Sequence, residues 1–193
     1  MSSTARRASV TLADRSARPR FGCKGPAAEA WLRDLGLEIP VPANSWSCER
    51  GDVLVARLAT SEFLVESLSP ANARIDEIAH SLLDPAQRRT ALYPVLRQDR
   101  VLELGGARAN DLLVETCNVD FRALERGAQA AQGPLVLTSM IGVGVTVIPR
   151  RDGPGVTYTI WCDPSFGHYF ESTLEAIADE LTSPVPLFEE KQE

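Results

Sequence analysis

The stretch that decides the fold spans residues 135–171 and reads LVLTSMIGVGVTVIP (135–149), RRDGPG (150–155), VTYTIWC (156–162) and DPSFGHYFE (163–171). The first and third runs are rich in β-branched apolar residues and are typical of strands. The Gly-rich turn between them predicts a β-hairpin. Asp163 and Pro164 then introduce a helix whose apolar residues recur at helical spacing. This unit carries the most apolar surface in the chain, and we expect the rest to pack on it.

The remaining sequence alternates single helices with pairs of strands. It predicts helices after Pro26 and over residues 72–83 and 107–117, a hairpin over 51–68, and one or two strands within 91–104. Residues 38–50 and 118–133 are interpreted as loops. This order predicts an α+β fold with paired, mostly antiparallel sheets and helices on one face, and a ferredoxin-like βαββα second half.

Charge and composition divide the chain into three parts. Residues 1–17 are polar and basic, which predicts a flexible arm or one that docks on a partner, although residues 9–12 could add an edge strand. Residues 18–182 form one α+β domain with two subdomains, 18–90 and 91–182. Residues 183–193 form an acidic tail.

Composition excludes several classes of protein. The 193 residues are 44% hydrophobic, enough for one sizeable core, but no run reaches the length of a membrane span. The start has no apolar signal segment, so we expect a cytoplasmic protein. A net charge of −6 argues against nucleic acid as a partner. The four cysteines form no C-x-x-C pair, which predicts buried thiols in a reducing compartment rather than a metal site.

Other polar and glycine signals are weak. His80 and His168 are far apart and belong to no catalytic pattern, so packing or helix-end roles are expected for both. Gly142 and Gly144 lie inside the predicted strand and indicate a bulge or a close backbone approach rather than a nucleotide loop. The Gly pair at 105–106 is typical of a strand-to-helix turn, although such a turn can also hold an anion.

Several motifs in order resemble one family, the sarcosine oxidase gamma subunits. The motifs are RFGCKGP (20–26) followed by AWL (30–32), RLATSEFL (57–64), LGGARANDLL (104–113), CNVD (117–120), and the closing strand and helix over 158–174. Together they cover residues 18–182. The family is related to the glycine-cleavage T protein, a tetrahydrofolate-dependent aminomethyltransferase, so the resemblance implies a T-protein-like fold.

The resemblance also implies partners and cofactors. It places the chain in a bacterial complex with alpha, beta and delta subunits that oxidises the N-methyl group of sarcosine and passes the one-carbon unit to tetrahydrofolate. The implied FAD, FMN, NAD, zinc and tetrahydrofolate belong to the other subunits, and none is expected on this chain.

Folate chemistry needs carboxylates that the chain has largely lost. One acid must orient the amine, and a buried acid must hydrogen-bond the pterin edge. Where the T-protein pattern has an Asp pair, this chain has Gly51 and Asp52, so Asp52 is a weak catalytic candidate. The Gly-Glu-x-Gly-Tyr/Phe-Glu segment corresponds to PGVTYT (154–159), and both glutamates are absent.

Our first hypothesis is therefore a non-catalytic structural subunit of a sarcosine-oxidase-like complex. Its candidate partner contacts are Arg18, Arg20, Lys24, Arg150 and Arg151, because arginine favours interface contacts. The alternatives are a stand-alone folate-binding aminomethyltransferase-like protein, and the equivalent subunit of N-methylglutamate dehydrogenase or another demethylating dehydrogenase.

Overall fold

The computed structural model describes residues 10–49, 52–153 and 155–182. The strands are β1 (Thr11–Asp14), β2 (Arg20–Lys24), β3 (Ser45–Glu49), β4 (Val53–Ala59), β5 (Glu62–Ser67), β6 (Tyr93–Val95), β7 (Arg100–Gly105), β8 (Gln132–Pro134), β9 (Val136–Met140), β10 (Val143–Asp152) and β11 (Gly155–Cys162). The helices are α1 (Ala28–Asp34), α2 (Ala73–Leu83), α3 (Ala109–Thr116), α4 (Phe121–Glu125) and α5 (Gly167–Thr182).

The strands form two antiparallel sheets. The first sheet has the order β6-β2-β5-β4-β3-β8, and the second has the order β1-β7-β11-β10-β9. One face of the first sheet packs against α1 and α2. One face of the second packs against α3, α4 and α5. The other two faces meet around Trp46, Leu54, Ile148 and Trp161. The molecule is thus layered helix, sheet, sheet, helix, and the predicted α+β class with antiparallel sheets is confirmed.

Alternation along the strands explains the layers. In β11, Tyr158 and Ile160 point to the helices while Trp161 points to the first sheet. In β4, Val55 faces α1 and α2 while Leu54 faces the second sheet. Both faces of these strands are therefore apolar, because each sheet is covered on both sides. The helices lie on the two outer sides of the pair rather than on one common face.

Helix ends follow the capping signals in the sequence. Asn72 accepts a hydrogen bond from Ile75 N at 3.3 Å and caps α2. Gly36 follows α1 with φ of 75°, a conformation that glycine adopts without a steric penalty. Asp163 caps the 3-10 turn at Pro164–Phe166 through Ser165 N at 2.8 Å, and α5 follows directly.

The run at 135–149 is two strands rather than one. Ile141 and Gly142, with φ of 45° and 82°, form a two-residue turn that joins β9 to β10. Two positive φ values are the signature of the tight hairpin turn that matches strand twist. Gly142 is therefore a turn residue, and the prediction of a bulge or a close backbone approach at this position was wrong.

Three elements lie in segments interpreted as loops. Residues 38–50 contain β3, and residues 118–133 contain α4 and part of β8. β8 has no strand pattern of its own. It is a strand because Cys48 N donates to Ala131 O at 2.6 Å and because its residues pair with β3. Tertiary pairing decides such short edge segments.

The ferredoxin-like interpretation of the second half is not confirmed. In that motif a helix connects two parallel strands. Here β7, β11, β10 and β9 are neighbours, and all of their pairings are antiparallel.

The sheets also cross the predicted internal boundaries. β1, which was assigned to the flexible arm, pairs with β7 in the second sheet, in keeping with the alternative of an edge strand near residues 9–12. β6 and β8 follow residue 90 yet belong to the first sheet. Residues 1–9 of the arm and the acidic tail at 183–193 lie outside the described residues.

Candidate functional site

Asp52, the candidate catalytic acid, lies exposed just before β4. Its backbone carbonyl accepts a hydrogen bond from Leu68 N at 2.8 Å, which closes the open end of the β4–β5 hairpin. A general acid or base acts best in an enclosed position that fixes its partner and excludes water. The surroundings of Asp52 are those of a hairpin-closing residue.

From the family resemblance, two glutamates are expected on the β10–β11 hairpin. Gly155 is exposed at the first of these positions. Thr159, at the second, is 1% exposed and lies between Glu103 and Ile148 in the sheet register. Neither residue offers a carboxylate to a ring edge. The described part of this hairpin therefore does not fit an aminopyrimidine, and no folate step is derived from it.

Tyr158, the aromatic residue of that segment, packs in the core. It is completely buried, and its ring packs edge-on against Phe121 with centroids 5.6 Å apart. Its hydroxyl hydrogen-bonds to Glu125 and to Asn110 Oδ1. Burial, and then the Glu125 carboxylate, raise the pKa of Tyr158 well above its ordinary value. The phenol is thus a neutral structural group that ties β11 to α3 and α4.

The most charged part of the interior lies between the two sheets. Glu66 is fully buried, and its Oε2 lies 2.9 Å from Arg20 Nε. Trp161 Nε1 donates to the same oxygen at 2.7 Å, and Arg18 NH1 lies 3.7 Å from Oε1. Burial raises the pKa of Glu66, while the two guanidinium groups and the indole N–H oppose that rise.

Glu103 extends this group toward the surface. It pairs with Arg15 at 2.9 Å and with Arg18 at 3.1 Å, so Arg18 bridges one carboxylate from each sheet. Burial alone would raise the pKa of Glu103, but the hydrogen bond from Arg15 and the charge of Arg18 hold it below its ordinary value. We call Arg15, Arg18, Arg20, Glu66 and Glu103 the inter-sheet ion cluster.

Two predicted partner contacts belong to this cluster and face inward. The side chains of Arg18 and Arg20 are only 10% and 4% exposed. The other end of the Arg20 guanidinium donates to the carbonyls of Asp99, Arg15 and Ser16. Because both guanidinium groups face the buried Glu66 carboxylate, these two side chains connect the sheets instead of forming a free surface.

The other three candidates lie on strand ends. Lys24 is exposed at the end of β2, opposite Glu62 in the register. Arg151 is exposed and donates to the carbonyl of Glu125 at 3.2 Å. Arg150 is half-buried beside it in β10. Arg150 and Arg151 are neighbours on β10, where successive side chains point to opposite faces of the sheet, and Lys24 lies on the other sheet.

The histidines and cysteines are separated from one another. His80 and His168 are exposed on α2 and α5, and His80 Nδ1 contacts Asp76 O at 2.7 Å on its own helix. All four cysteines are buried thiols outside any disulfide, as predicted. Burial raises the pKa of Cys23 to about 12, and burial with Asp99 and Asp163 raises that of Cys162 to about 11.

Within the described ranges, no three His, Cys, Asp or Glu side chains are grouped in a way that could hold a metal ion. No helix in the same ranges has the length and apolar character needed to cross a membrane.

Comparison with known proteins identifies a fold. No protein-family profile matches the chain, and no curated protein matches its sequence. A solved structure does match: the glycine cleavage system aminomethyltransferase T from Bartonella henselae, with a TM-score of 0.59 and 16% identity. The match covers 87% of this chain and 46% of that one. The chain has a T-protein-like fold. It spans about half the length of that aminomethyltransferase.

Sequence reasoning missed the inter-sheet ion cluster. One signal was present, because Glu66 continues the alternation of Leu64 on a strand whose residues 63–65 are all apolar. An acid at such a position must find a partner. Which arginines would supply it depends on packing between the sheets, and no local pattern reports that packing.

Proposed function

We propose that this chain is a gamma-type, non-catalytic subunit of a heteromeric demethylating oxidoreductase of the sarcosine-oxidase kind. Two independent lines support the proposal. The ordered sequence motifs over residues 18–182 resemble sarcosine oxidase gamma subunits, and the fold is T-protein-like. The other subunits would carry the flavins, NAD, zinc and the tetrahydrofolate that accepts the one-carbon unit.

One observation carries the non-catalytic part of the proposal. The chain has a T-protein-like fold, yet the three positions at which the resemblance expects acids hold an exposed Asp52, an exposed Gly155 and a buried Thr159. An apolar ring pocket that leaves donors of a pterin unpaired is energetically unfavourable. A scaffold whose acids are lost in this way supports a structural role beside a catalytic homologue.

The test is reconstitution with whatever flavoprotein subunits are encoded beside this chain. The chain is expressed alone and together with them, and each preparation is passed over size exclusion with absorbance read at flavin wavelengths. We expect the chain to co-elute with a flavin-bearing complex. A stable, colourless monomer or homodimer that ignores those subunits would overturn the proposal.

Titration of the isolated chain with tetrahydrofolate distinguishes the proposed subunit from the main alternative. A stand-alone folate-binding protein would bind it without partners, whereas the proposed subunit would not. If the complex forms, turnover with sarcosine and with N-methylglutamate then identifies the substrate class, because this chain is not expected to contact the substrate.

A further inference from the structure

A cavity of about 330 Å³ lies between α1, the end of α2 and the segment that leads into β6. Its volume is at the small end of the range typical of ligand pockets. Most of the wall is apolar and comes from three separate parts of the chain: Trp31, Leu82, Leu83, Leu92, Tyr93 and Pro94. Leu83 and Tyr93 remain 50% and 55% exposed, so the apolar wall is open to a ligand.

The segment that forms one wall of the cavity follows a residue with an unfavourable backbone conformation. Ala91 has φ of 59°, a left-handed conformation that costs a non-glycine residue about 1 kcal/mol. Its carbonyl accepts from Ala27 N at 3.1 Å, and a Cβ on Gly25 would come within 2.4 Å of the same oxygen. The backbone around α1 therefore fixes Ala91 and, with it, the neighbouring wall at Leu92 and Tyr93.

The charged residues of the wall are mostly cationic. Arg88 and Arg89 are exposed and line the cavity, and the Arg89 guanidinium lies 5.7 Å from the centre of the Trp31 ring. Asp84 also lines it, but Oδ1 accepts from Ala86 N and Oδ2 accepts from the Gln87 side chain. The wall of the cavity thus carries two guanidinium groups against one carboxylate, in a protein whose net charge is −6.

One buried polar group among the wall residues makes no hydrogen bond within the described part of the chain. The indole Nε1 of Trp31 is buried and has no hydrogen-bond acceptor within the described part of the chain. By contrast, the other polar residues of the α2 end satisfy one another, since Ser81 donates to Gln87 at 2.5 Å.

We propose that this cavity binds a small apolar anion, an aromatic or branched aliphatic carboxylate. The apolar part would lie against Trp31, Leu82 and Leu92, where burial of hydrocarbon is favourable. The carboxylate would lie at the mouth with Arg88 and Arg89, because planar guanidinium groups pair with carboxylates in two parallel hydrogen bonds. This site is separate from the positions that the folate resemblance identifies, and the inference does not depend on the proposed function.

The experiment compares three fluorinated ligands that share one ring system. Fluoronaphthoate, fluoronaphthylmethanol and fluoronaphthylmethylamine are titrated into the full chain, alone or in its complex, and followed by fluorine NMR. We expect saturable binding of the carboxylate, weaker binding of the alcohol, and none of the amine. The double variant R88Q/R89Q should weaken carboxylate binding by about tenfold and alcohol binding by less than about twofold.

Two controls make the result decisive. R126Q removes an exposed arginine on the far side of the molecule, after α4, and should leave binding unchanged. L83D places a negative charge on the exposed wall and should reduce carboxylate binding while admitting the amine. Equal binding of all three ligands, no saturable binding, or an unaffected R88Q/R89Q variant would each overturn the inference.

Discussion

At the scale of single residues, Glu66 has the most demanding environment in the molecule. A carboxylate with no solvent exposure is tolerated because Arg20, Arg18 and the Trp161 indole surround it. Burying a charge costs free energy, and the cluster offsets that cost only while the partners of Glu66 remain in place. The cluster is better understood as fixing how the two sheets meet than as a source of large net stability.

Glu66→Ala should therefore destabilise the protein severely. Removing it deprives the buried Arg20 guanidinium of the Glu66 carboxylate, while Arg18 keeps its contact with Glu103, and breaking such a buried pair costs about 3–5 kcal/mol. Chemical denaturation of purified protein measures the free energy of unfolding. Glu29→Ala is the matched control, because Glu29 pairs with Arg33 and Arg57 at the surface with its side chain 36% exposed. It should cost less than about 1 kcal/mol, and similar losses for both variants would contradict this account.

Glu103 predicts how stability depends on pH. Its pKa is lower in the folded protein than the ordinary value of 4.5. A lowered folded pKa means that the carboxylate stabilises the fold above the unfolded pKa and that this contribution is lost as pH falls through the folded pKa. Between about pH 5 and pH 3, the free energy of unfolding of Glu103→Gln should fall less steeply than that of the wild type.

Glu115→Gln provides the comparison for this pH series, since Glu115 is exposed on α3. Its pH profile should run parallel to that of the wild type. If Glu103→Gln also runs parallel, the ion pairs to Arg15 and Arg18 do not contribute to acid sensitivity.

At the scale of elements, the β9–β10 hairpin depends on one turn. Gly142→Ala puts a Cβ on a residue with φ of 82°, although no atom of the described residues lies close enough to clash with it. The cost is therefore conformational, about 1 kcal/mol. Gly144→Ala, two residues later, also meets open space but has ordinary strand geometry. It should be neutral or slightly stabilising, because glycine is unfavourable in a strand.

Thermal unfolding of the two glycine variants distinguishes backbone strain from packing. Gly142→Ala should lower the melting temperature and Gly144→Ala should not. Equal effects would mean that the turn does not need a positive φ at position 142.

At the scale of the whole molecule, helices cover the outer faces of both sheets, so contacts of the proposed complex would lie at the strand ends. Lys24 and Arg151 lie there with exposed side chains, whereas Arg18 and Arg20 do not. If the proposed complex forms, the charge reversals Lys24→Glu and Arg151→Glu should weaken co-elution with the flavoprotein subunits. Reversing a charge at the rim of an interface mainly changes the association rate and its dependence on salt.

Arg33→Glu is the control for this assembly experiment, because Arg33 is 53% exposed on the outer face of α1. It should leave co-elution unchanged. Loss of assembly in Arg33→Glu but in neither of the other two variants would move the docking surface to the α1 side.

The sequence by itself determined much of the local structure. Alternation in β4, β5 and β11, the caps at Asn72 and Asp163, and the αL glycine after α1 all act within a few residues. Loss of the expected glutamates was also visible in the sequence alone. The four cysteines were correctly predicted as buried thiols because none had a partner at metal-ligand spacing.

Only the tertiary structure decided the rest. β3 and β8 are strands because they pair with each other, and β3 also pairs with β4. β1 lies within the predicted arm but is a strand because it pairs with β7. Arg18 and Arg20 were expected at a partner surface, but the meeting of the two sheets placed two glutamates within reach of their guanidinium groups. Such contacts join residues as far apart as Glu66 and Trp161, whose separation in sequence is 95. Periodicity and capping report interactions over one or two turns of chain, so pairing over this range becomes defined only when the layers pack.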